Sequence, residues 1–242
     1  MSGHSHWAGI KHKKGLNDAK KGKIFTKHGK LISIAARDGG GNPDTNFQLR
    51  LAIDRARAEN MPKDNIERAI KRGTGELAGE EIVEIIYEAM GPSGIMMLIK
   101  TATDNRNRTV SELKSLLLKN GGKMGEMGTA MWNFEQAGSI VINTSGKDID
   151  EVDLLAIDAG AKDTNLEENS LTVFTEPKDL QIVQENLQKN NLEIIESGLV
   201  FIPKTVVELD PETKIDYERL LEALDDQDDV EDIYDNVSQK EF

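Results

Sequence analysis

The chain has no cysteine in 242 residues, which removes disulfides, thiolate nucleophiles, zinc ribbons and iron–sulfur clusters together. It also lacks a long apolar run. The longest, Ile95 to Ile99, is five residues, against the roughly 20 needed to cross a bilayer, so no membrane is expected as a partner. The N-terminus is polar and cationic, with no apolar stretch ahead of a cleavage site; nothing resembles a secretory signal, and the expected location is cytoplasmic. Histidine is scarce and badly placed for catalysis. His4, His6, His12 and His28 are the only imidazoles, all within a cationic N-terminal segment that offers little preorganisation.

Phosphate-binding motifs fail on context. Gly73-Thr-Gly-Glu-Leu-Ala78 fits the G-x-G-x-x-A string, but it follows an expected helix rather than a strand, so it cannot cradle a pyrophosphate in the usual way. Lys23 and Lys123 each follow a glycine, yet Ile24 and Met124 stand where a P-loop needs Ser or Thr for magnesium. The expectation is a protein that is not an enzyme, with no catalytic residue, no metal and no cofactor.

What the chain does have is a globular balance of 38% hydrophobic and 30% charged residues, at a length that implies two or three domains. Its charge is divided along the sequence. The net value is −13, but Met1 to Gly75 carries 16 Lys and Arg against 7 Asp and Glu, or +9, and the remainder carries 14 against 36, or −22. Within Met1 to Lys30 there are eight lysines and one acid, Asp18. Such an asymmetry points to a polyanionic partner.

Asn17 and Asp18 are good helix caps, and Ile24, His28, Leu31 and Ala35 then recur at the spacing of one helical face, predicting a helix to Arg37. At about 100° per residue, Lys20, Lys23, Lys27 and Lys30 fall beside that face in a narrow stripe of their own. Stacked ammonium groups repel one another unless an anion lies alongside. Asn42-Pro43 predicts the start of a second helix running to about Asn60, and Pro62 the start of a third that Gly73 stops. The segment before Asn17, with Lys11, Lys13 and Lys14, reads as an arm that orders on its partner; Trp7 in it could stack on a base or cap the core of the helices.

The acidic remainder reads as two interleaved parts. Strand Ser139 to Asn143, helix Ile149 to Ala159, strands near Asp163 to Leu166 and Leu171 to Thr175, helix Pro177 to Asn190 and strand Leu192 to Ile202 give the β-α-β-β-α-β order of a ferredoxin-like unit. Around it, strands at Ile82 to Tyr87, Ile95 to Thr101, Met131 to Phe134, Val206 to Leu209 and Val230 to Tyr234, with helices at Val110 to Asn120 and Tyr217 to Leu224, make a second α+β set. Neither flanking half is long enough to close a sheet alone. The expected organisation is a basic helical domain over 1–75, an α+β domain from 76–135 and 204–242, and an inserted ferredoxin-like domain over 136–203. Glu208 to Asp235 holds 13 acids and reads as a folded, solvated acidic face that would repel a phosphate lattice. Asp104-Asn-Arg-Asn-Arg-Thr109 reads as a helix-entry loop in which Arg106 and Arg108 could contact phosphate. Gly121-Gly122, Gly125 and Gly128 read as a flexible loop.

The strings Met1-Ser-Gly-His-Ser-His-Trp7, Asp18-Ala-Lys-Lys-Gly-Lys-Ile-Phe-Thr-Lys27, Gly39-Gly-Gly-Asn-Pro-Asp44, Tyr87-Glu-Ala-Met-Gly-Pro92 and Asp104-Asn-Arg-Asn-Arg-Thr109 together resemble the YebC family, related to the mitochondrial translational activator of cytochrome c oxidase. The resemblance spans the chain. It implies an α+β protein with an N-terminal three-helix domain and two α+β domains, one ferredoxin-like and inserted in the other. It also implies a cytoplasmic, non-enzymatic regulator of gene expression, either a DNA-binding transcriptional regulator or a factor acting on RNA or the ribosome in translation. The family motif residues present are Lys20, Lys21, Lys23, Lys27, Arg106 and Arg108. With Lys11, Lys13, Lys14 and Lys30 from the charge pattern, these are the candidate nucleic-acid contacts. Oligomeric state is not legible in the sequence.

Overall fold

A computed structural model describes residues 18–167 and 169–238, with side chains from Gly22 onward. Among the described residues, seven α-helices and two four-stranded sheets form an α+β fold. The chain makes two compact units. Glu135–Ile202 is one, and the stretches on either side, up to Phe134 and from Pro203, make the other.

The first stretch is a three-helix module: α1 (Asp18–Gly39), α2 (Phe47–Ala58) and α3 (Lys63–Gly73). Gly40, at φ +86, takes the left-handed conformation that ends α1. Asn46 ties the next turn together: its side chain accepts the Leu49 amide as the cap of α2 and donates to the Ala35 and Gly40 carbonyls. The cap expected at Asn42 is therefore four residues early. Asn42 instead folds its side chain onto the Asp44 amide and accepts Thr45 and Asn46 at its carbonyl, which makes a turn ahead of the helix.

The module's core is Ile32, Ala36, Leu49, Ile53, Ala56 and Ile66. On α1 the fully buried row is Ile32, Ser33 and Ala36, one position, or about 100°, round from the row expected at Leu31 and Ala35. The reason is that α1 is covered on two sides. One side meets α2 and α3; a second carries Ile34 onto Ile82 and Ala102 of the sheet region that follows.

That sheet is a hairpin of β1 (Val83–Met90) and β2 (Met96–Thr103), with Tyr87 opposite Ile99, extended by β3 (Lys123–Met124) beside β1 and β8 (Val230–Asp235) beside β2. The order β3-β1-β2-β8 joins the two distant halves of the sequence through one pair of strands. Helices α4 (Arg106–Lys119) and α7 (Pro211–Asp225) bury Leu113, Leu117, Tyr217, Leu220 and Leu224 against Met97 and Ile99. Both helices start earlier than their apolar spacing indicated, because Asn105 caps α4 through the Arg108 amide and Asp210 caps α7 through the Glu212 and Thr213 amides. Arg106 and Arg108 thus lie in the first turn of a helix, not in a loop.

Two expected strands take other forms. Met131–Asn133 is a 3₁₀ turn preceding β4 (Phe134–Asn143). Around Val206 there is only an isolated bridge, Val207 to Val237, since the Asn133 side chain holds the neighbouring Thr205 backbone at both amide and carbonyl.

The inserted unit follows the order β4, α5 (Ile149–Ala159), β5 (Asp163–Glu167), β6 (Ser170–Thr175), α6 (Leu180–Lys189), β7 (Ile194–Pro203), with sheet order β5-β6-β4-β7. That is the ferredoxin-like arrangement. Asp148 caps α5 and Gly160, at φ +109, ends it, while Ile140 stands opposite Val173 at the centre of the sheet. No helix of the described residues is long and apolar enough to cross a membrane.

Gly73 gives the helical module a sharp test. A Cβ there would collide with the Ser33 carbonyl oxygen and approach the Ala36 Cβ to 2.8 Å, so α3 can cross α1 only without a side chain at this point. Gly73→Ala is expected to lower the unfolding free energy by about 1–3 kcal/mol through overpacking, read by urea denaturation; a midpoint equal to that of the unmodified chain would refute this packing.

Candidate nucleic-acid interface

The lysine stripe does not end at Lys30. At the same four, three, four, three spacing it continues through Ile34 to Arg37, and in the fold the row from Lys23 to Arg37 is the face that α1 turns toward the sheet region and the turn leading into β8. Ile34 supplies the apolar contact. The Arg37 guanidinium donates to the Ile82 carbonyl and lies 3.2 Å from the Glu81 carboxylate.

The anion beside the lysines comes from the chain itself. Lys23 Nζ donates to the Asp226 carbonyl at 2.8 Å and lies 3.5 Å from the Asp228 carboxylate. Lys27 donates to the Asp225 carbonyl at 2.9 Å, and Lys30 to the Asp228 carbonyl at 2.9 Å and to Asp229 Oδ1 at 2.6 Å. The acceptors are the last turn of α7 and the loop into β8, the negative end of a helix dipole where cations are favoured. Exposure falls along the row. The Lys23 side chain is 50% exposed and that of Lys30 is 12% exposed.

Asp229 is the hub. Its side chain is 2% exposed and accepts from Lys30, from Arg108 Nη2 at 3.0 and 3.2 Å, from Thr109 Oγ1 at 2.8 Å and from Thr103 Oγ1 at 3.3 Å. Its carbonyl accepts the Ala102 amide and its amide donates to Gln227 Oε1. Burial alone would raise the Asp229 pKa, but hydrogen bonds from Lys30, Arg108 and Thr109 outweigh it and bring the value from 3.8 down to about 2. Arg108 also pairs with Asp104 at 3.0 Å, and these partners hold its guanidinium above its ordinary value against the opposing effect of burial.

Of the candidate contacts, the fold therefore brings Lys23, Lys27, Lys30 and Arg108 together around Asp225–Asp229. Arg106 is exposed on the first turn of α4, near enough to Tyr87 that its charge opposes the upward push of burial on that phenol. Lys20 and Lys21 lie in the first turn of α1, and Lys11, Lys13 and Lys14 lie outside the described residues. The residues that the sequence did not single out are the aspartates. They were read as part of a solvated acidic face, whereas Asp229 is buried, the Asp225 and Asp228 carboxylates face Lys27 and Lys23, and the Asp226 carbonyl accepts from Lys23. The available signal was Ile34, an apolar residue in register with the lysine row.

The glycine-rich stretch after α4 also departs from its reading as a flexible loop. Buried Glu88 accepts the amides of Gly128 at 2.7 Å, Ala130 at 2.6 Å and Met131 at 2.8 Å. Burial pushes this carboxyl up, and the backbone donors bring it net below the ordinary range. The loop so held displays Met127, 99% exposed, and Trp132, 57% exposed.

The depressed Asp229 pKa fixes a pH dependence. The folded value lies below the unfolded one, so this group's contribution is complete above pH 3.8 and is lost as pH falls through about 2. At 1.36 kcal/mol per unit the loss is about 2 kcal/mol. Urea titrations between pH 5 and pH 2 should show the unmodified chain losing about that much more than Asp229→Asn does. Equal pH slopes would show that Asp229 is not the ionised hub.

Comparison with known proteins agrees along the whole chain. Residues 5–76 match the family model described as the TACO1/YebC protein N-terminal domain, and residues 82–237 match that of the TACO1/YebC second and third domain. A probable transcriptional regulatory protein of Thermoanaerobacter pseudethanolicus is 45% identical over 238 residues, covering 98% of this chain and 97% of its own. One so named from Thermotoga maritima is 49% identical over 240 residues, covering 98% and 93%. The crystal structure of a conserved hypothetical protein from Aquifex aeolicus superposes with a TM-score of 0.90 at 41% identity, covering 98% of both chains. With a helical module, a four-stranded sheet and an inserted ferredoxin-like unit, matched end to end by relatives of this identity, the chain belongs to the TACO1/YebC family.

Proposed function

We propose that this protein is a non-enzymatic, cytoplasmic regulator of gene expression that works by binding nucleic acid, with DNA as the first target. The observation that carries the reading is the direction of the cation row. It runs from Lys30, 12% exposed, outward through half-exposed Lys23, and the sequence continues it through Lys21 and Lys20 to Lys14, Lys13 and Lys11. A polyanion approaching a chain of net charge −13 is repelled by the acidic remainder and meets the densest run of lysines at this end of α1, with Arg106 exposed on α4 as a further contact. Relatives named probable transcriptional regulatory proteins support a regulatory role.

A second reading, RNA or the ribosome as target, is favoured by one feature of the helical module. The outer face of α3 exposes Asp64 and Glu67 among Lys63, Arg68 and Lys71. A helix lying in a major groove would press those carboxylates toward the phosphates, so α3 is a poor recognition helix. Binding through phosphates alone positions a protein without choosing its sequence.

Fluorescence anisotropy on a promoter duplex, a scrambled duplex and a ribosomal RNA fragment separates the readings. A sequence-specific DNA regulator binds its promoter about a thousandfold or more above scrambled DNA; equal affinity for the duplexes with tighter binding to the RNA selects the second reading. Lys11, Lys13 and Lys14 changed together to Gln are expected to weaken binding and flatten the dependence of log K on log salt by up to about three. An unchanged slope would clear those lysines.

A further inference from the structure

We infer that the acidic turn Asp225–Asp229 is an internal competitor for the lysine row, so that full use of the row on nucleic acid requires the helical module to release from the turn. The inference rests on the nucleic-acid reading above and concerns how that binding is gated.

Three observations carry it. First, the turn presents oxygen ligands of the kind that a phosphate chain presents: three backbone carbonyls at 2.8 to 2.9 Å and the Asp229 carboxylate at 2.6 Å from three ammonium groups, with the Asp228 and Asp225 carboxylates at 3.5 and 3.8 Å. The ridge from Lys23 to Lys30 extends about 10 Å along α1 at 1.5 Å per residue, the axial length of roughly three phosphates of one DNA strand. Second, the apolar contact between the module and the sheet is small, a cluster of Ile34, Ile82 and Ala102. The remaining attachment described along this face is made by the charged groups of Lys23, Lys27, Lys30 and Arg37, on backbone carbonyls and on carboxylates, and its ionic part yields to salt and to competing anions. Third, the contacts are graded. The Lys23 and Asp228 side chains are 50% and 67% exposed, where ion pairs are weak, whereas that of Lys30 is 12% exposed and that of Asp229 is buried. A polyanion can take Lys23 first and peel the row inward.

The test compares the unmodified chain with Asp225→Asn/Asp226→Asn/Asp228→Asn. Asparagine keeps the backbone carbonyls, and Asp229 is left in place to support the fold. A control, Asp150→Asn/Glu151→Gln/Asp158→Asn, makes the same change in net charge on exposed positions of α5. Anisotropy of a labelled 20-base-pair duplex is expected to show the turn variant binding about tenfold tighter than the control, with a salt slope steeper by up to about three. The chain's lack of cysteine allows a second readout: labels at Glu59→Cys on the helical module and Lys114→Cys on α4 report their separation, which is expected to increase when the duplex binds.

If the duplex binds all forms but the turn variant matches the control and the label distance stays fixed, the competitor model is overturned and the nucleic-acid reading stands. If no form binds duplex at low salt, that reading of DNA falls. The label distance then decides the rest: separation in about 1 M NaCl, where the screening length is near 3 Å, supports ionic gating, and an unchanged distance refutes it.

Discussion

Four aspartates within five residues, at the negative end of a helix, cannot stand together without countercharge. The end of α7 and the loop into β8 place Asp225, Asp226, Asp228 and Asp229 there, where helix dipole and mutual repulsion both act against them. Lys23, Lys27, Lys30 and Arg108 supply the compensation. The dependence runs the other way as well, since a ridge of lysines is equally strained without an anion. The position of the helical module, the entry of β8 into the sheet and the first turn of α4 all meet at Asp229, through Lys30, the Ala102 amide and Arg108 with Thr109.

This pairing changes what the net charge means. Taken as totals, the first 75 residues and the remainder are a cation and an anion joined in one chain. In the fold part of that opposition is satisfied internally, at the ridge, so the cationic character left for a partner is shifted toward the N-terminal end of α1. The exposed acids elsewhere remain a repulsive surface. On the proposed reading, together they would favour a polyanion at the N-terminal end of α1 over the acidic surfaces.

Much of the architecture was legible because its signals are local. The ferredoxin-like order follows from apolar spacing at Val141 and Ile142, Leu154 and Leu155, and Val183 and Leu187, and the ends of α3 follow from Pro62 and Gly73. Where local signals compete, the sequence misled. Asn42-Pro43 is a good cap and N1 pair, but Asn46 wins because its amide also reaches two α1 carbonyls. The segment at Val206 has strand composition, but the Asn133 side chain holds the neighbouring Thr205 backbone and the segment makes one bridge. The burial of the lysine row was hidden for another reason: it depends on residues about 200 positions away, and neither a charge count nor helical periodicity carries that partner's identity. Only Ile34, in register with Lys23, Lys27 and Lys30, marked the row as an interface rather than a solvated face.

The choice of ions for this interface has a physical consequence of its own. Replacing a buried ion pair with apolar side chains is often neutral or stabilising, so Lys30 and Asp229 are not what a fold selected only for tight docking would use. An apolar row on α1 would hold the module to the sheet regardless of salt or ligand. A graded row of ammonium groups on an acidic turn holds it in the absence of competing anions and loosens from its exposed end when they arrive. The same residues can then serve structure and recognition in turn, because oxygen acceptors from aspartate, backbone carbonyl and phosphate satisfy an ammonium group in the same way. The apolar contacts of Ile34 would keep the module close during that exchange, and the deep Lys30 pair would be the last to open.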